Sequence, residues 1–252
     1  MKRLSLTLNV FSILWSVISY AQKSSTASFF NKIKNYNLSL ILNADSIQTE
    51  GEEGGLRKVK REEILGFIGD DFQRFQIHFT SIIKNPKNPY QYLASGKTKV
   101  HDVIFPFNGT ITIKKADLYT KSDIQGYKQG FADCEVTLNE NRRQVGAGSI
   151  KGKLKSNFDI NAKGQFEYDA LLLVSDGFSN NDFVGTWTSY KTNESKKCNW
   201  GDYRIPNSGD LDDGTGEFMV SSKYIKNGWL EYMLEHKIPN PAIDVKPIKT
   251  KN

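Results

Sequence analysis

Four residues near position 200 combine side-chain types that bind small polar molecules. They are Trp200, Asp202, Tyr203 and Arg204. Their rings can stack on a sugar or an apolar surface, and their charged groups can orient hydroxyl or acid groups. The pattern therefore predicts a site for a glycan or a small amphipathic molecule. The structural alternative is that Trp200 fills the core, while Asp202 and Arg204 share a strand face and interact at the surface.

An acid-rich segment follows, and its oxygen content is typical of a calcium loop. Asp210, Asp212 and Asp213 lie together just before a glycine. Counted from Asp210, however, Thr215 and Ser221 stand where an EF-hand loop has its glycine and its closing glutamate. Calcium is thus the one cofactor that the sequence suggests, and a solvated acidic turn is the alternative.

Catalytic patterns are sparse in this sequence. The three histidines, His78, His101 and His236, are not spaced as zinc ligands, and the chain has no nucleophile elbow or phosphate-binding loop. The two carboxylates of a glycoside hydrolase can be distant in sequence, so Asp202 with a second carboxylate keeps a hydrolase open. The sequence names no catalytic residue and favours a binding protein over an enzyme.

Alternating apolar and polar residues predict β-strands through the middle of the chain. The clearest runs are 75–79, 105–113, 132–138 and 166–174, and segments rich in Asn, Asp, Gly and Pro separate them. Strands at short intervals with no helical pattern between them predict an antiparallel sheet. We expect a mainly β protein in which this sheet closes into a barrel or folds into a sandwich.

Two helical segments are expected at the ends of the sheet. Residues 24–35 predict a short N-terminal helix. A C-terminal helix is expected to follow Ser221 and to pack on the sheet, because an apolar stripe at helical spacing needs a surface to cover it. The stripe consists of Tyr224, Ile225, Trp229, Tyr232 and Met233.

Residues 1–21 have the pattern of a secretory signal peptide. Two basic residues precede a mostly apolar run, and Ser19 and Ala21 are the small residues that a signal peptidase reads. Polar residues interrupt the run, which makes it a poor membrane span. We expect a secreted or periplasmic protein with no membrane span after cleavage, a single β-rich domain over 22–238 and a flexible tail over 239–252.

The charge distribution does not favour a nucleic-acid partner. The formal net charge is +6, but acids are interleaved with the basic residues except at 57–61 and 246–251. A nucleic-acid surface needs basic and aromatic residues together, whereas here the aromatic residues follow the strand pattern.

Cys134 and Cys198 are the two cysteines of the chain. An exported protein can join them in a disulfide. Such a bond would close a loop of about 65 residues and stabilise the fold by about 4 kcal/mol in the chain-entropy model. Two buried thiols are the alternative, because sequence does not reveal whether the two Cβ atoms approach each other.

The segment Gly185-Thr186-Trp187 resembles the Gly-x-Trp signature of lipocalin-type barrels, in which the tryptophan closes one end of the barrel. In that family the signature lies on the first strand, whereas here the chain ends 65 residues after Trp187, which excludes the standard strand order. The whole chain also resembles secreted bacterial proteins of unassigned activity. The first resemblance implies a lipocalin-like barrel.

These observations predict an exported, soluble binding protein that holds a small amphipathic molecule or a glycan in a β-barrel cavity or mouth. The predicted binding residues are Trp187, Trp200, Asp202, Tyr203 and Arg204. One alternative is an interaction module that docks on another envelope protein through an exposed aromatic patch around Trp200 and Tyr203. A carboxylate-based hydrolase is the other alternative.

Overall fold

The computed structural model describes residues 25–51 and 55–237. The predicted signal peptide, 1–21, and the predicted tail, 239–252, lie outside the described residues. The structure is mainly β, with 50% of the described residues in strands and 12% in helices. The strands are β1 (Thr26–Ser28), β2 (Ser46–Glu50), β3 (Leu56–Lys60), β4 (Ile64–Ile68), β5 (Gln73–Lys84), β6 (Gln91–Val100), β7 (Val103–Tyr119), β8 (Lys128–Glu140), β9 (Gly148–Ile160), β10 (Phe166–Tyr168), β11 (Asn180–Ser189) and β12 (Ser195–Asp202).

Eight of these strands close into an antiparallel barrel in the order β4, β5, β6, β7, β8, β9, β11 and β12. The closing pair is β12 with β4, which runs in register from Cys198 opposite Ile68 to Asp202 opposite Ile64. Outside the barrel circuit, β1 pairs with β7, β10 pairs with β9, and β2 and β3 form a separate hairpin. The prediction of an antiparallel β-barrel is confirmed, and the sandwich alternative is wrong.

Large side chains fill the middle of the barrel. Every second residue of a barrel strand points inward, and large inward side chains are enough to fill an eight-stranded barrel. Trp200 lies at the centre of this packing, with its ring centroid 3.6 Å from that of Phe183 and 6.1 Å from that of Phe75. A ligand therefore has space at the barrel ends and flanks rather than at its centre.

One end of the barrel, which we name the plugged end, is covered by two short helices. They are α1 (Phe30–Ile33) and α2 (Ser39–Leu42), and their buried side chains join the barrel core. The prediction of a helix over 24–35 is only partly correct, because Thr26–Ser28 pairs with β7 as a strand. Backbone pairing with a neighbouring strand outweighs the local helical preference there.

The prediction of a strand over 166–174 is also only partly correct. Strand β10 ends at Tyr168, and the chain then turns away from the sheet.

The C-terminal segment packs on the outer face of β4, as expected. It begins with a 3-10 turn at Ser222–Tyr224 and a π turn at Ile225–Trp229, and it ends in α3 (Leu230–Glu235). The expected single helix is broken at Gly228, whose φ of 91° is the left-handed conformation that favours glycine. A Cβ atom at Gly228 would lie 2.8 Å from the Nε2 atom of Gln73, so the break lets the segment approach the barrel closely.

The proposed disulfide is absent, and that prediction is wrong. Cys134 and Cys198 are both buried free thiols. Cys134 belongs to β8 and Cys198 to β12, and strands β9 and β11 lie between them in the barrel wall. Neighbouring strands are about 4.8 Å apart, so three strand spacings exceed the reach of a disulfide.

Among the helices described here, none is long and apolar enough to cross a lipid bilayer.

Candidate functional site

The barrel end opposite α1 and α2 contains a cavity of about 320 Å³, which we name the mouth. It lies where β4, β6, β8 and β11 end and where β5, β7, β9 and β12 begin, because antiparallel strands alternate their termini at each end. The residues that line it are Ile68, Asp71, Gln73, Phe75, Val100, His101, Val103, Phe105, Glu140, Gly146, Trp187 and Lys196.

Trp187 forms a half-buried aromatic wall of the mouth. One glycine makes room for the Trp187 ring, and a second makes room for the core residue next to it. A Cβ atom at Gly148, on the neighbouring strand β9, would lie 2.5 Å from the Trp187 ring. A Cβ atom at Gly185 would lie 2.4 Å from the ring of Phe183, the core residue behind Trp187. The Gly-x-Trp segment therefore has a steric reason for its glycine, independent of any resemblance.

Glu140 fixes the orientation of the Trp187 ring. The indole Nε1 donates to its Oε2 at 3.0 Å, and the backbone N–H of Gly148 donates to the same oxygen at 2.7 Å. The Thr98 hydroxyl donates to Oε1 at 2.6 Å. Only 4% of Glu140 is exposed, so these three donors replace the water that this carboxylate loses on burial. The mouth thus has a pre-organised aromatic wall.

The mouth combines an apolar floor with a charged rim. Phe75 and Phe105 are buried at the floor, where the barrel core begins. Asp71 and Lys196 are exposed at the rim and carry opposite charges. His101 also lines the rim, in a left-handed conformation with φ of 51° in the tight turn between β6 and β7. An apolar group can enter this cavity while a polar group stays in contact with water and the rim.

The predicted site residues Trp200 and Asp202 lie elsewhere. Trp200 is 2% exposed in the core, so the expected aromatic patch around Trp200 and Tyr203 does not form on the surface. Asp202 is 1% exposed near the plugged end and forms an ion pair with Arg61, with 2.7 Å between Nη2 and Oδ1. The other Asp202 oxygen accepts hydrogen bonds from Tyr168 at 2.9 Å and Asn181 at 2.7 Å.

This buried network connects the barrel to the helices that plug it. Arg61 donates from Nη1 to the carbonyl oxygen of Leu42, at the end of α2, over 3.0 Å. Burial raises the pKa of the Tyr168 hydroxyl well above its usual range, and the adjacent Asp202 carboxylate raises it further. Tyr168 therefore stays protonated and donates its hydrogen bond. Asp202 has a structural role in this arrangement and no access to solvent.

Tyr203 and Arg204 lie outside the barrel. Tyr203 is half-buried and contacts Phe178, with 5.3 Å between ring centroids. Arg204 donates from Nη2 to the carbonyl oxygens of Gly214 and Gly216, each at 2.9 Å, and its Nη1 lies 3.1 Å from Oδ2 of Asp212. Arg204 thus holds the acidic loop in place. The structure does not bring these residues together with Trp187.

The acidic loop directs its carboxylates to protein donors. Asp212 accepts from the backbone N–H of Gly214 at 3.0 Å, in addition to its ion pair with Arg204. Asp210 accepts from Lys223 and Tyr224, each at 2.7 Å, and the hydrogen bond from Lys223 lowers the pKa of Asp210. Within residues 25–51 and 55–237, no three His, Cys, Asp or Glu side chains form a group that could hold a metal ion.

A second cavity, of about 680 Å³, opens on the flank of the barrel where β4 and β5 separate. These two strands pair only at Phe67 with Arg74 and at Ile68 with Gln73, so the remaining length of β5 diverges from β4. Its lining includes the charged residues Asp45, Lys60, Arg61, Glu62, Glu63, Lys97 and Lys99. The flank cavity is therefore strongly charged, and the aromatic residue in its lining, Phe79, is buried.

Sequence reasoning missed Glu140, although a signal for it was present. The inward-facing stripe of β8 contains Cys134, Val136 and Leu138, and the next residue with the same parity is Glu140. An acid that ends an apolar stripe marks a buried polar position at the end of a barrel strand.

Comparisons of the chain with protein-family models, with curated proteins and with solved structures give no match.

Proposed function

We propose that this protein is an exported binding protein that holds a small amphipathic molecule in the mouth. The observation that carries the proposal is the Trp187 ring, half-buried above an apolar floor and held by the buried Glu140 carboxylate. An aromatic face fixed in this way can stack on an apolar chain or on the face of a sugar. Ordering such a ring before the ligand arrives lowers the entropic cost of binding.

The size and polarity of the mouth support a particular kind of ligand. About 320 Å³ is at the small end of the range for ligand sites, and the packed core beneath it limits how deep a ligand can reach. A short apolar chain or one sugar ring fits that depth. The polar part of the ligand would remain at the rim, within reach of Asp71, His101 and Lys196.

Octyl glucoside tests this proposal, because it joins a short apolar chain to one sugar. We expect saturable binding below its micelle concentration, measured by calorimetry and by a change in tryptophan fluorescence. Trp187→Ala should weaken binding about tenfold, since ring stacking and the buried ring area contribute on the order of 1 kcal/mol or more. Trp229→Phe is the matched control, because Trp229 lies in the packing outside the barrel and should leave binding unchanged.

A rim variant keeps the test informative if Trp187→Ala does not fold. Lys196 is exposed, so Lys196→Glu should leave stability within about 0.5 kcal/mol. It should weaken binding of octanoate, whose carboxylate would lie at the rim, and leave octyl glucoside unaffected. Binding of both compounds that is unchanged in Trp187→Ala and Lys196→Glu, or no binding to the wild-type protein, would contradict the proposal.

A further inference from the structure

A further cavity, of about 320 Å³, lies between the barrel and the C-terminal segment. Its lining shares no residue with the mouth. Five of the residues that line it carry aromatic rings, and they are Phe178, Tyr203, Phe218, Tyr232 and His236. We name this space the aromatic cavity. It is a second concave site on the molecule, separate from the one to which we assign the amphipathic ligand.

Phe178 and Tyr203 form the wall of the aromatic cavity that belongs to the barrel. Asn180 of β11 pairs with Asp202 of β12, so a residue just before β11 and the residue directly after β12 lie together at this end of the two strands. The ring centroids of Phe178 and Tyr203 are 5.3 Å apart, and the ring planes meet at 70°. Both side chains are only half-buried, so each ring keeps surface that a ligand can contact.

The opposite wall comes from the segment that packs outside the barrel. The ring centroid of Tyr232 lies 5.7 Å from that of Phe218 and 4.1 Å from that of His236. The His236 ring is also held by its Nδ1 atom, 2.9 Å from the carbonyl oxygen of Tyr232. The backbone N–H of Gly177 donates to the carbonyl oxygen of Gly216 at 3.0 Å and so joins the loops that precede the two walls.

The charges at the aromatic cavity are negative. Glu62 and Glu217 line it, both are exposed, and the ion pairs found in the described part of the chain involve neither of them. No lysine or arginine is among the described residues that line this cavity, whereas Lys196 lines the mouth. Burial raises the pKa of Tyr203 to about 12, and the nearby Glu62 carboxylate adds to the shift, so this ring stays neutral beside a negative charge.

Three arginines near the aromatic cavity do not cancel this negative charge, because each already forms an ion pair. The pairs are Arg61 with Asp202, Arg74 with Glu63 and Arg204 with Asp212. Their side chains are directed to those partners and to backbone carbonyl groups. Glu62 and Glu217 are therefore free to attract a cation from solvent.

We propose that the aromatic cavity binds a small organic cation that carries a quaternary ammonium group, as choline does. The faces of aromatic rings attract such a cation, and carboxylates at the entrance add a Coulomb attraction. A quaternary nitrogen has no N–H group, so its methyl groups can contact the ring walls without leaving a buried donor unpaired. A cavity of about 320 Å³ has room for one such group.

An inorganic metal ion does not fit these walls. Such an ion needs several oxygen, nitrogen or sulfur ligands around one point. Within residues 25–51 and 55–237, no three His, Cys, Asp or Glu side chains form such a group. The proposal is independent of ligand binding at the mouth, because the two cavities have no lining residue in common.

Proton NMR of choline in the presence of the protein tests the proposal directly. Protons above an aromatic ring face are shielded, so the trimethylammonium signal should move upfield and the shift should saturate with protein concentration. The matched control ligand is 3,3-dimethylbutan-1-ol, which has the shape of choline without its charge. We expect the neutral alcohol to bind at least about tenfold more weakly, because it gains neither the ring nor the carboxylate attraction.

Two variants assign the binding to this cavity. Phe178→Leu removes a ring face but keeps an apolar side chain, and it should weaken choline binding about threefold to tenfold. Glu62→Gln should weaken choline binding about threefold and leave the neutral alcohol unaffected, because only its charge changes. The matched control is Glu50→Gln, since Glu50 is an exposed acid of β2 outside the lining. Trp187→Ala, at the mouth, should bind choline like the wild-type protein.

Four outcomes would overturn the proposal. The first is a choline signal that does not move in the presence of the wild-type protein, and the second is equal affinity for choline and the neutral alcohol. The third is unchanged choline affinity in both Phe178→Leu and Glu62→Gln. The fourth is loss of choline binding in Trp187→Ala, which would place the cation at the mouth. If Phe178→Leu does not fold, Glu62→Gln decides alone, because Glu62 is exposed and its replacement leaves the packing intact.

Discussion

The two cysteine thiols lie on different strands, and both are buried in the barrel core. Cys134 and Cys198 are both buried in the barrel core, at 2% and 0% exposure. Burial raises the pKa of each thiol, so both stay protonated across the physiological pH range. Because the thiolate is the reactive form, we expect both cysteines to be chemically inert in the folded protein.

Titration with a chromogenic disulfide reagent checks this expectation. Without reductant, the native protein should show no rapidly reacting thiol, whereas the protein in guanidinium chloride should show two. The native reaction should proceed only as fast as the protein unfolds. Fewer than two thiols in the denatured, unreduced protein would mean that a disulfide forms after all.

At the scale of elements, one buried ion pair links α2 to the barrel. Asp202 ends β12, Tyr168 ends β10, and Arg61 precedes β4 and reaches the end of α2. Arg61 and Tyr168 meet at the Asp202 carboxylate, and Arg61 extends the contact to α2. A buried ion pair of this kind is costly to break from one side, because the remaining charge stays buried without its partner.

Asp202→Asn should therefore lower the free energy of unfolding by about 3–5 kcal/mol, measured by urea denaturation. The control is Asp70→Asn, which removes an exposed ion pair. In that pair, Oδ1 of Asp70 lies 2.8 Å from Nζ of Lys197. That change should cost less than about 1 kcal/mol, because water screens the pair. Equal losses in the two variants would show that the Arg61–Asp202 pair does not anchor the plugged end.

At the scale of the whole molecule, β4 joins two hydrophobic clusters. Ile68 faces the barrel core, whereas Leu65 and Phe67 face outward and pack with Trp229 and the rest of the C-terminal segment. A strand buried on both faces is an unbroken apolar run, and Ile64 to Ile68 has that composition. The outer cluster therefore belongs to the same folded unit as the barrel, because both depend on β4.

We expect Trp229→Ala to lower the free energy of unfolding by about 3–5 kcal/mol in one cooperative transition. Trp229 is fully buried, and its Nε1 donates to the carbonyl oxygen of Phe72 at 2.8 Å. The control is Leu234→Ala, because Leu234 of α3 is 67% exposed. This change should alter the free energy of unfolding by less than about 0.5 kcal/mol. Two separate transitions, or a small loss in Trp229→Ala, would mean that the C-terminal segment unfolds independently of the barrel.

The strands themselves follow from local sequence. The alternating runs 75–79, 105–113 and 132–138 lie within β5, β7 and β8, with the apolar residues facing the core as expected. The apolar stripe of the C-terminal segment also packs on the sheet as expected. In both cases the side-chain period and the position of turn residues are properties of a few neighbouring residues, so they can be recognised without knowledge of the rest of the chain.

Strand pairing decides which residues lie together at the mouth. Strands β11 and β12 are antiparallel, so Trp187 lies opposite Lys196 at the mouth, while Trp200 lies opposite Phe183 in the core. For this reason Trp187 and the residues around position 202 belong to opposite ends of the barrel. The partners of Trp187 and Asp202, which are Glu140 and Arg61, are distant in sequence. The local pattern marks Glu140 as a buried acid, but it does not show which residue Glu140 contacts.

The sequence by itself determined that the runs 75–79, 105–113 and 132–138 form strands and which of their side chains face inward. Only the tertiary structure decided between barrel and sandwich, separated the two cysteines, and brought together the residues of the mouth. The physical reason is that closure depends on β4 pairing with β12, two segments separated by most of the chain. Such pairing is selected by the packing of the whole core, whereas periodicity is set by backbone geometry at each residue.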